Sequence, residues 1–233
     1  MHVLIVVTST DTLSPGHPTG VWLEEFALPY LALVEAGIAV TVASPKGGAA
    51  PIDPRTAPDD KTPAMWRGAL GALAATVPLS EVSEARFDAL YLPGGHGPMV
   101  DLVGDRRLKS LVAAFDRAGK IVAAVCHGPA GLLGAKSESG DPILAGRRVT
   151  GFTNGEETLA GLAATVPFSL EDAMRKEGGL FEHALLPMIG HVVCDGNLIT
   201  GQNPASSLAI GRTLVEALAD RQRAATAGSV AAR

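Results

Sequence analysis

Short apolar runs alternate with stretches of helical period along most of the chain. HVLIVVT (residues 2–8) is an apolar run of strand length, as expected for a strand buried on both faces. Residues 21–36, VWLEEFALPYLALVEA, carry apolar positions at helical spacing and stop at Gly37, a C-terminal helix signal. IAVTVAS (38–44) reads as the second strand. PKGGAAPIDPRTAPDD (45–60) is dense in Pro, Gly and Asp and reads as a long loop. Loops of this length in compact domains are often functional. DALYLPGG (88–95) is a strand that breaks into a glycine turn. DRRLKSLVAAFDRAG (105–119) is an amphipathic helix with a glycine stop, KIVAAVC (120–126) a strand, and HGPAGLLGA (127–135) the start of another helix. RRVTGFT (147–153) is strand-like, and HVVCDGNLITG (191–201) predicts a hairpin around Asp195-Gly196, a favoured two-residue turn. NPASSLAIGRTLVEALAD (203–220) is a closing helix with Pro204 near its start.

This alternation predicts an α/β protein, a doubly wound and mostly parallel sheet with helices on both faces. Composition supports it. Of 233 residues, 47% are hydrophobic and 18% charged, as in a compact globular chain. Aromatics are only 4%, so Val, Leu, Ile and Ala must build the core, which suits a parallel sheet under helices. No linker interrupts the pattern; residues 1–222 read as a single domain, followed by a short Ala- and Arg-rich tail over 223–233. A net charge of −5 without a Lys/Arg cluster speaks against nucleic-acid binding. No apolar stretch approaches the roughly 18–20 residues of a membrane span. The N-terminal apolar run has no basic residues before it and no small-residue cleavage site after it, so it reads as a strand and not a signal peptide. Cys126 and Cys194, in a mildly acidic chain with no export signal, are expected to be reduced thiols of a cytoplasmic protein.

In doubly wound folds the site lies at the carboxyl ends of the strands. Three segments sit there: the loop after the first strand, the turn LPGGHG (92–97), and Cys126. Cys126 ends a strand, His127 follows, and Gly128-Pro129 opens the next turn, a strand–nucleophile–helix elbow. The partial charge of a helix N-terminus would favour thiolate at that position. His127 is placed to tune the thiol or carry a proton near neutral pH. The glycine turn around Gly94 and Gly95 supplies backbone N–H groups of the kind that form an oxyanion hole. It lacks the spacing of a dinucleotide fingerprint. Two acidic pairs are within reach in sequence, Glu24 with Glu25 and Glu156 with Glu157, and helical geometry allows at most one of each to face the site. A carboxylate orienting His127 would complete a Cys-His-acid arrangement. Cys194 sits by the hairpin turn and reads as structural. His17, His183 and His191 lack metal-ligand spacing and there is no CxxC, so no metal site is expected.

AVCHGPAGLL, LYLPGGHG, TGVWLEEFALP, VTGFTNGEE and DGNLITGQNPASS together resemble the ThiJ/PfpI superfamily, the class I glutamine-amidotransferase-like fold. The resemblance spans roughly residues 2–218 and is nearest to the heat-shock-protein-31-like, glyoxalase III-like branch. It implies a flavodoxin-like three-layer sandwich. Position by position it implies Cys126 as nucleophile and His127 as its histidine. The Trp22-to-Pro29 spacing selects Glu25, and the distance from Phe152 selects Glu157 as third triad member, with Glu156 as the alternative. Gly95 with the N–H of His127 matches the family's oxyanion-hole turn. Relatives in this branch convert methylglyoxal to D-lactate without glutathione or any other cofactor. The implied partner is a small aldehyde, and relatives are commonly homodimers. A Cys-dependent peptidase, amidase or deglycase is the rival reading, and a stress-related holding chaperone the third. An elbow thiol of this kind is also prone to oxidation.

Overall fold

The computed structural model describes residues 1–231. Eleven strands alternate with six α-helices: β1 (His2–Val6), β2 (Thr12–Ser14), β3 (His17–Pro18), α1 (Leu23–Glu35), β4 (Ala39–Ser44), α2 (Arg67–Leu73), β5 (Val77–Pro78), β6 (Ala89–Leu92), α3 (Arg106–Arg117), β7 (Ile121–Val125), β8 (Arg148–Val149), α4 (Asn154–Leu159), α5 (Leu170–Lys176), β9 (Leu180–Phe181), β10 (Val192–Asp195), β11 (Leu198–Gly201) and α6 (Ser207–Ala231). Seven strands form the central sheet in the order β10-β11-β7-β6-β1-β4-β5. All neighbours pair in parallel except the β10–β11 hairpin at one edge. Helices α1 and α6 pack on each other, α1 over β4 and α6 over β7 and β11, while α3 lies on β6 and β7. The result is the expected flavodoxin-like three-layer sandwich. Among the described residues no helix is long and apolar enough to cross a membrane.

Local chemistry explains the main elements. In β7, IVAAV, every residue is buried, because helices cover both faces of the sheet. Helix α3 starts at Asp105, whose side chain accepts the Leu108 N–H at 2.8 Å, a standard N-cap. It buries Leu108, Leu111, Val112 and Phe115, one stripe at helical spacing, and ends before Gly119 at φ +63°. The β10–β11 hairpin forms as expected, shifted by one residue. Asp195 pairs with Leu198, so Gly196 (φ +59°) and Asn197 occupy the turn.

Three expectations change. Residues 128–132 form a 3-10 turn instead of the start of an α-helix, and Leu133 is extended. Two close contacts keep the segment tight. A Cβ on Gly128 would meet the Leu92 carbonyl oxygen at 2.1 Å, and one on Gly131 would meet Leu108 and Leu92 at 3.0 Å. The strand-like 147–153 segment reduces to β8, which pairs only with β9. The closing helix does not stop at residue 220. Helix α6 continues to Ala231 through most of the presumed tail, while residues 232 and 233 lie outside the described residues.

The chain runs outward from β1 to β4 and β5, then returns to β6 on the other side of β1. The reversal point, between β1 and β6, is where open α/β sheets bind ligands. Helix α1, which carries Glu25, is seated there by α6. A Cβ on Gly211 of α6 would stand 2.9 Å from the Pro29 Cα of α1. Alanine is about 1 kcal/mol better than glycine inside a helix, but overpacking such a contact costs about 1–3 kcal/mol. Gly211→Ala is therefore expected to lower the thermal midpoint; a rise would show that the two helices separate freely.

Candidate active site

Cys126 follows β7 with φ +59°, and only it and Met188 have positive φ among the described non-glycine residues. That backbone costs roughly 1–2 kcal/mol for an L-residue. It is held by the Cys126 N–H donating to the Gly201 carbonyl (2.9 Å) and the Phe152 N–H donating to the Cys126 carbonyl (3.0 Å). The thiol is 4% exposed. The elbow is real, but the helix behind it is not. A five-residue 3-10 turn has little macrodipole, so the expected thiolate stabilisation from a helix N-terminus does not apply.

The turn after β6 presses against this elbow. At Gly94 a Cβ would fall 2.6 Å from Glu25 Oε2, 2.8 Å from the His127 nitrogen and 2.9 Å from the Cys126 Cβ. At Gly95, φ +84°, it would fall 2.1 Å from the Gly20 carbonyl oxygen. The Trp22 N–H donates to the Gly94 carbonyl (3.1 Å), tying the start of α1 to the same turn. Glu25, in the first turn of α1, is thereby carried to the thiol and fully buried; Glu24 is exposed. The Gly94 N–H donates to Glu25 Oε2 at 2.9 Å. Of the two glycines expected as oxyanion donors, Gly94 is thus committed to Glu25. The Gly95 N–H has no protein acceptor among the described residues. The Tyr91 hydroxyl donates to the Glu25 carbonyl at 2.6 Å and fixes the helix from below.

Burial raises the Glu25 carboxyl from 4.5 to about 8, despite the Gly94 N–H and the nearby Cys126 thiol, which favour its charge. Burial also pushes the Cys126 thiol up, and a charged Glu25 beside it would push in the same direction. The resting pair at neutral pH is therefore a carboxylic acid beside a thiol.

On the other side of the sulfur, His127 Nδ1 lies 3.4 Å from Cys126 Sγ. His127 Nε2 is 2.7 Å from Glu157 Oε2. The second oxygen of Glu157 is 2.8 Å from Nε2 of His96, a residue not singled out in the sequence although it stands inside the PGGHG turn. The two rings lie 4.0 Å apart, and Phe152 flanks His127 at 4.6 Å. Burial opposes ionisation of Glu157, but the ring N–H groups of His127 and His96 outweigh it and hold the carboxyl at about 2. His127 is driven down to about 4 by burial and by His96, so it is neutral at pH 7. A carboxylate accepts both Nε2–H bonds, which leaves the His127 Nδ1 lone pair facing the thiol.

Glu156, the alternative third member, lies elsewhere. It closes a capping box with Thr153 and accepts from the Met188 N–H, Gln202 and Asn203 at 2.7–2.9 Å. It anchors the start of α4, which presents Glu157. Cys194, expected to be structural, is exposed on the edge strand β10 and unpaired.

Donor atoms of His96, His127 and Glu157 lie within 4.8 Å of one another, a set that could in principle take a metal ion. The fit is poor. Both Nε2 atoms are 2.7–2.8 Å from the Glu157 oxygens, which are direct hydrogen-bond distances. An ion needs about 2.0–2.2 Å to each ligand and would have to part them.

The DJ-1/PfpI family pattern matches residues 18–217. A glutathione-independent glyoxalase of Saccharomyces cerevisiae is 32% identical over 143 residues, covering 59% of this chain and 60% of the yeast protein. One of Schizosaccharomyces pombe is 28% identical over 225 residues, covering 87% of this chain and 91% of that protein. The X-ray structure of the 24 kDa rapid encystment protein of Francisella tularensis superposes with a TM-score of 0.87 at 31% identity, covering 93% and 98% of the two chains. With the pattern matched over residues 18–217, and the cysteine elbow and PGG turn inside that span, the protein belongs to the DJ-1/PfpI family.

Proposed function

We propose that the protein converts methylglyoxal to D-lactate without glutathione, through a covalent adduct on Cys126. One observation carries this reading: a buried carboxylic acid, Glu25, faces the thiol from one side while a neutral imidazole, backed by a carboxylate, faces it from the other. Isomerising a 2-oxoaldehyde needs a nucleophile and two proton carriers, and the site supplies these. The names of the two yeast relatives support the same activity.

The proton movements can be followed on these residues. Sulfur attacks the aldehyde carbon and the thiol proton passes to His127 Nδ1. The alkoxide takes the Glu25 proton, giving a hemithioacetal beside a Glu25 carboxylate. That carboxylate removes the C1 proton while the imidazolium protonates the ketone oxygen, giving an enediol. Glu25 returns its proton to C2 and the C1 hydroxyl gives its proton to His127, leaving a lactoyl thioester. Water attacks the thioester, losing a proton to Glu25, and His127 protonates the departing sulfur. The Gly95 N–H would face the C1 oxygen, and Glu157 would hold the imidazolium through each step.

A peptidase reading fits less well, because a thiol that is 4% exposed does not lie in the open groove a peptide needs. A holding-chaperone role has one observation in its favour. Leu185, Leu186, Met188 and Ile189 are all exposed, Leu185 to 94%. Aggregation suppression that survives Cys126→Ala would separate that role from catalysis. A homodimer in the cytoplasm belongs to the same proposal, on the resemblance; sedimentation velocity tests the dimer.

Purified protein incubated with methylglyoxal alone should form D-lactate. Cys126→Ala should abolish it, and Glu25→Gln should reduce it by about 10²–10⁴-fold. Absence of lactate from reduced wild-type protein would refute the proposal.

A pH prediction follows from the raised carboxyl. Between 4.5 and about 8 the folded state keeps a Glu25 proton that the unfolded chain releases. Wild-type stability therefore falls as pH rises through that window and stops falling above the folded value. Each pKa unit corresponds to about 1.4 kcal/mol. Glu25→Gln has no proton to retain. Its stability relative to wild type should grow by on the order of 1 kcal/mol per pH unit between about pH 5 and pH 8 in urea denaturation. A pH-independent difference would mean that Glu25 ionises in the fold at its ordinary value.

A further inference from the structure

The loop between β4 and α2 reaches the site through Arg55. Its guanidinium is clamped side-on by Asp53: Nε donates to Oδ1 at 2.9 Å and Nη2 to Oδ2 at 2.7 Å. Asp53 is itself fully buried and is held by the Arg55 backbone N–H (3.0 Å) and the Thr19 hydroxyl (3.3 Å). The loop is sewn to the start of α1 by reciprocal backbone bonds between Val21 and residues 51 and 53, at 2.8 and 2.9 Å. The Arg55 guanidinium also lies 5.1 Å over the Trp22 ring. Its direction is thus set by two partners, the Asp53 carboxylate and the Trp22 ring, and what it points at is His96 Nδ1, 3.1 Å from Nη2.

A guanidinium has donors only. His96 Nδ1 must therefore accept and carry no proton. The ring proton then sits on Nε2, where it donates to Glu157. The alternative tautomer would set an imidazole N–H against the Arg55 N–H and a nitrogen lone pair against the Glu157 carboxylate. A doubly protonated ring would meet the same collision at Nδ1. The charged or titratable groups around His96 are Arg55 and, behind it, Asp53 from the loop, Glu157 from α4 and His127 from the turn after β7.

We propose that Arg55, clamped by Asp53, is a positioning residue that locks His96 in its Nε2–H tautomer. Through His96 it fixes the Glu157 carboxylate against His127. It touches neither the thiol nor, in the reaction proposed above, any reacting atom. If His96 turned its lone pair to Glu157, the carboxylate would lose one of two donors and swing, and the His127 Nδ1 lone pair would lose its aim at Cys126. The activity arm of the test rests on the glyoxalase reading; the spectroscopic arm does not.

The test compares wild type, Arg55→Met and Arg55→Lys, with 15N-labelled histidine and methylglyoxal turnover. Met keeps an unbranched stem over Trp22, and Lys keeps a donor. In wild-type protein the His96 nitrogens should report a neutral ring protonated at Nε2 at neutral pH. In Arg55→Met they should report a mixture of tautomers or a charged ring. Its kcat should fall by roughly tenfold to a hundredfold, a fraction of what a general acid–base group contributes, with KM within about a factor of two. Arg55→Lys should recover most of both. If Arg55→Met fails to fold, Arg55→Gln serves for the same comparison. Unchanged His96 signals in the variant overturn the lock, whatever happens to turnover. A raised KM with unchanged kcat also overturns it, because Arg55 would then act on the substrate. If wild-type protein makes no lactate, the reaction is wrong and the nitrogen shifts alone decide the lock.

Discussion

Everything at the site depends on how closely three stretches of backbone approach one another. The Gly94-Gly95 turn, the Cys126-His127 elbow and the Gly20–Trp22 segment meet with no room for a side chain on either turn glycine. That closeness lets a carboxyl from a helix, a thiol from a strand end and an imidazole one residue further share a few ångströms. It also buries these groups, and burial sets their protonation. The same closeness spends the Gly94 N–H on Glu25, leaving Gly95 for any oxyanion.

Two glutamates in this buried site behave oppositely. Glu25 receives one backbone N–H, too little to offset burial, and rises to about 8. Glu157 receives two imidazole N–H groups and falls to about 2. Titratable groups pushed apart by environment mark acid and base assignments. In the proposed reaction one glutamate holds a proton that can be given and taken back, and the other holds a charge that keeps two histidines in place. Arg55 extends the second arrangement outward, so the line from Cys126 through His127, Glu157 and His96 ends on a buried Asp53.

This division of labour accounts for the elements that look misplaced. The 3-10 turn after Cys126 offers little dipole, so in the proposed reaction the thiol depends on proton partners for activation. Pro29 lies inside α1 and Gly211 inside α6, a combination poor for isolated helices, yet together they let the two helices close and bring Glu25 inward. Glu156 fills its oxygens with five donors and holds the start of α4, so that its neighbour can reach the histidines.

By itself the sequence determined the strand–helix alternation, the parallel sheet and the strand-end cysteine, because apolar periodicity and glycine stops are local. The choice of Glu25 over Glu24 and of Glu157 over Glu156 came from resemblance, since neighbouring helical residues are equivalent until the helix is docked. Length misled twice: HGPAGLLGA is too tightly packed against β6 to wind as an α-helix, and α6 runs on past residue 220. His96, Asp53 and Arg55 were hidden for another reason. The glycine turn and the long loop were visible, but contacts between residues 41 positions apart leave no local pattern. Only tertiary structure decided which group faces each ring nitrogen, because a tautomer is set by the donor or acceptor standing opposite it.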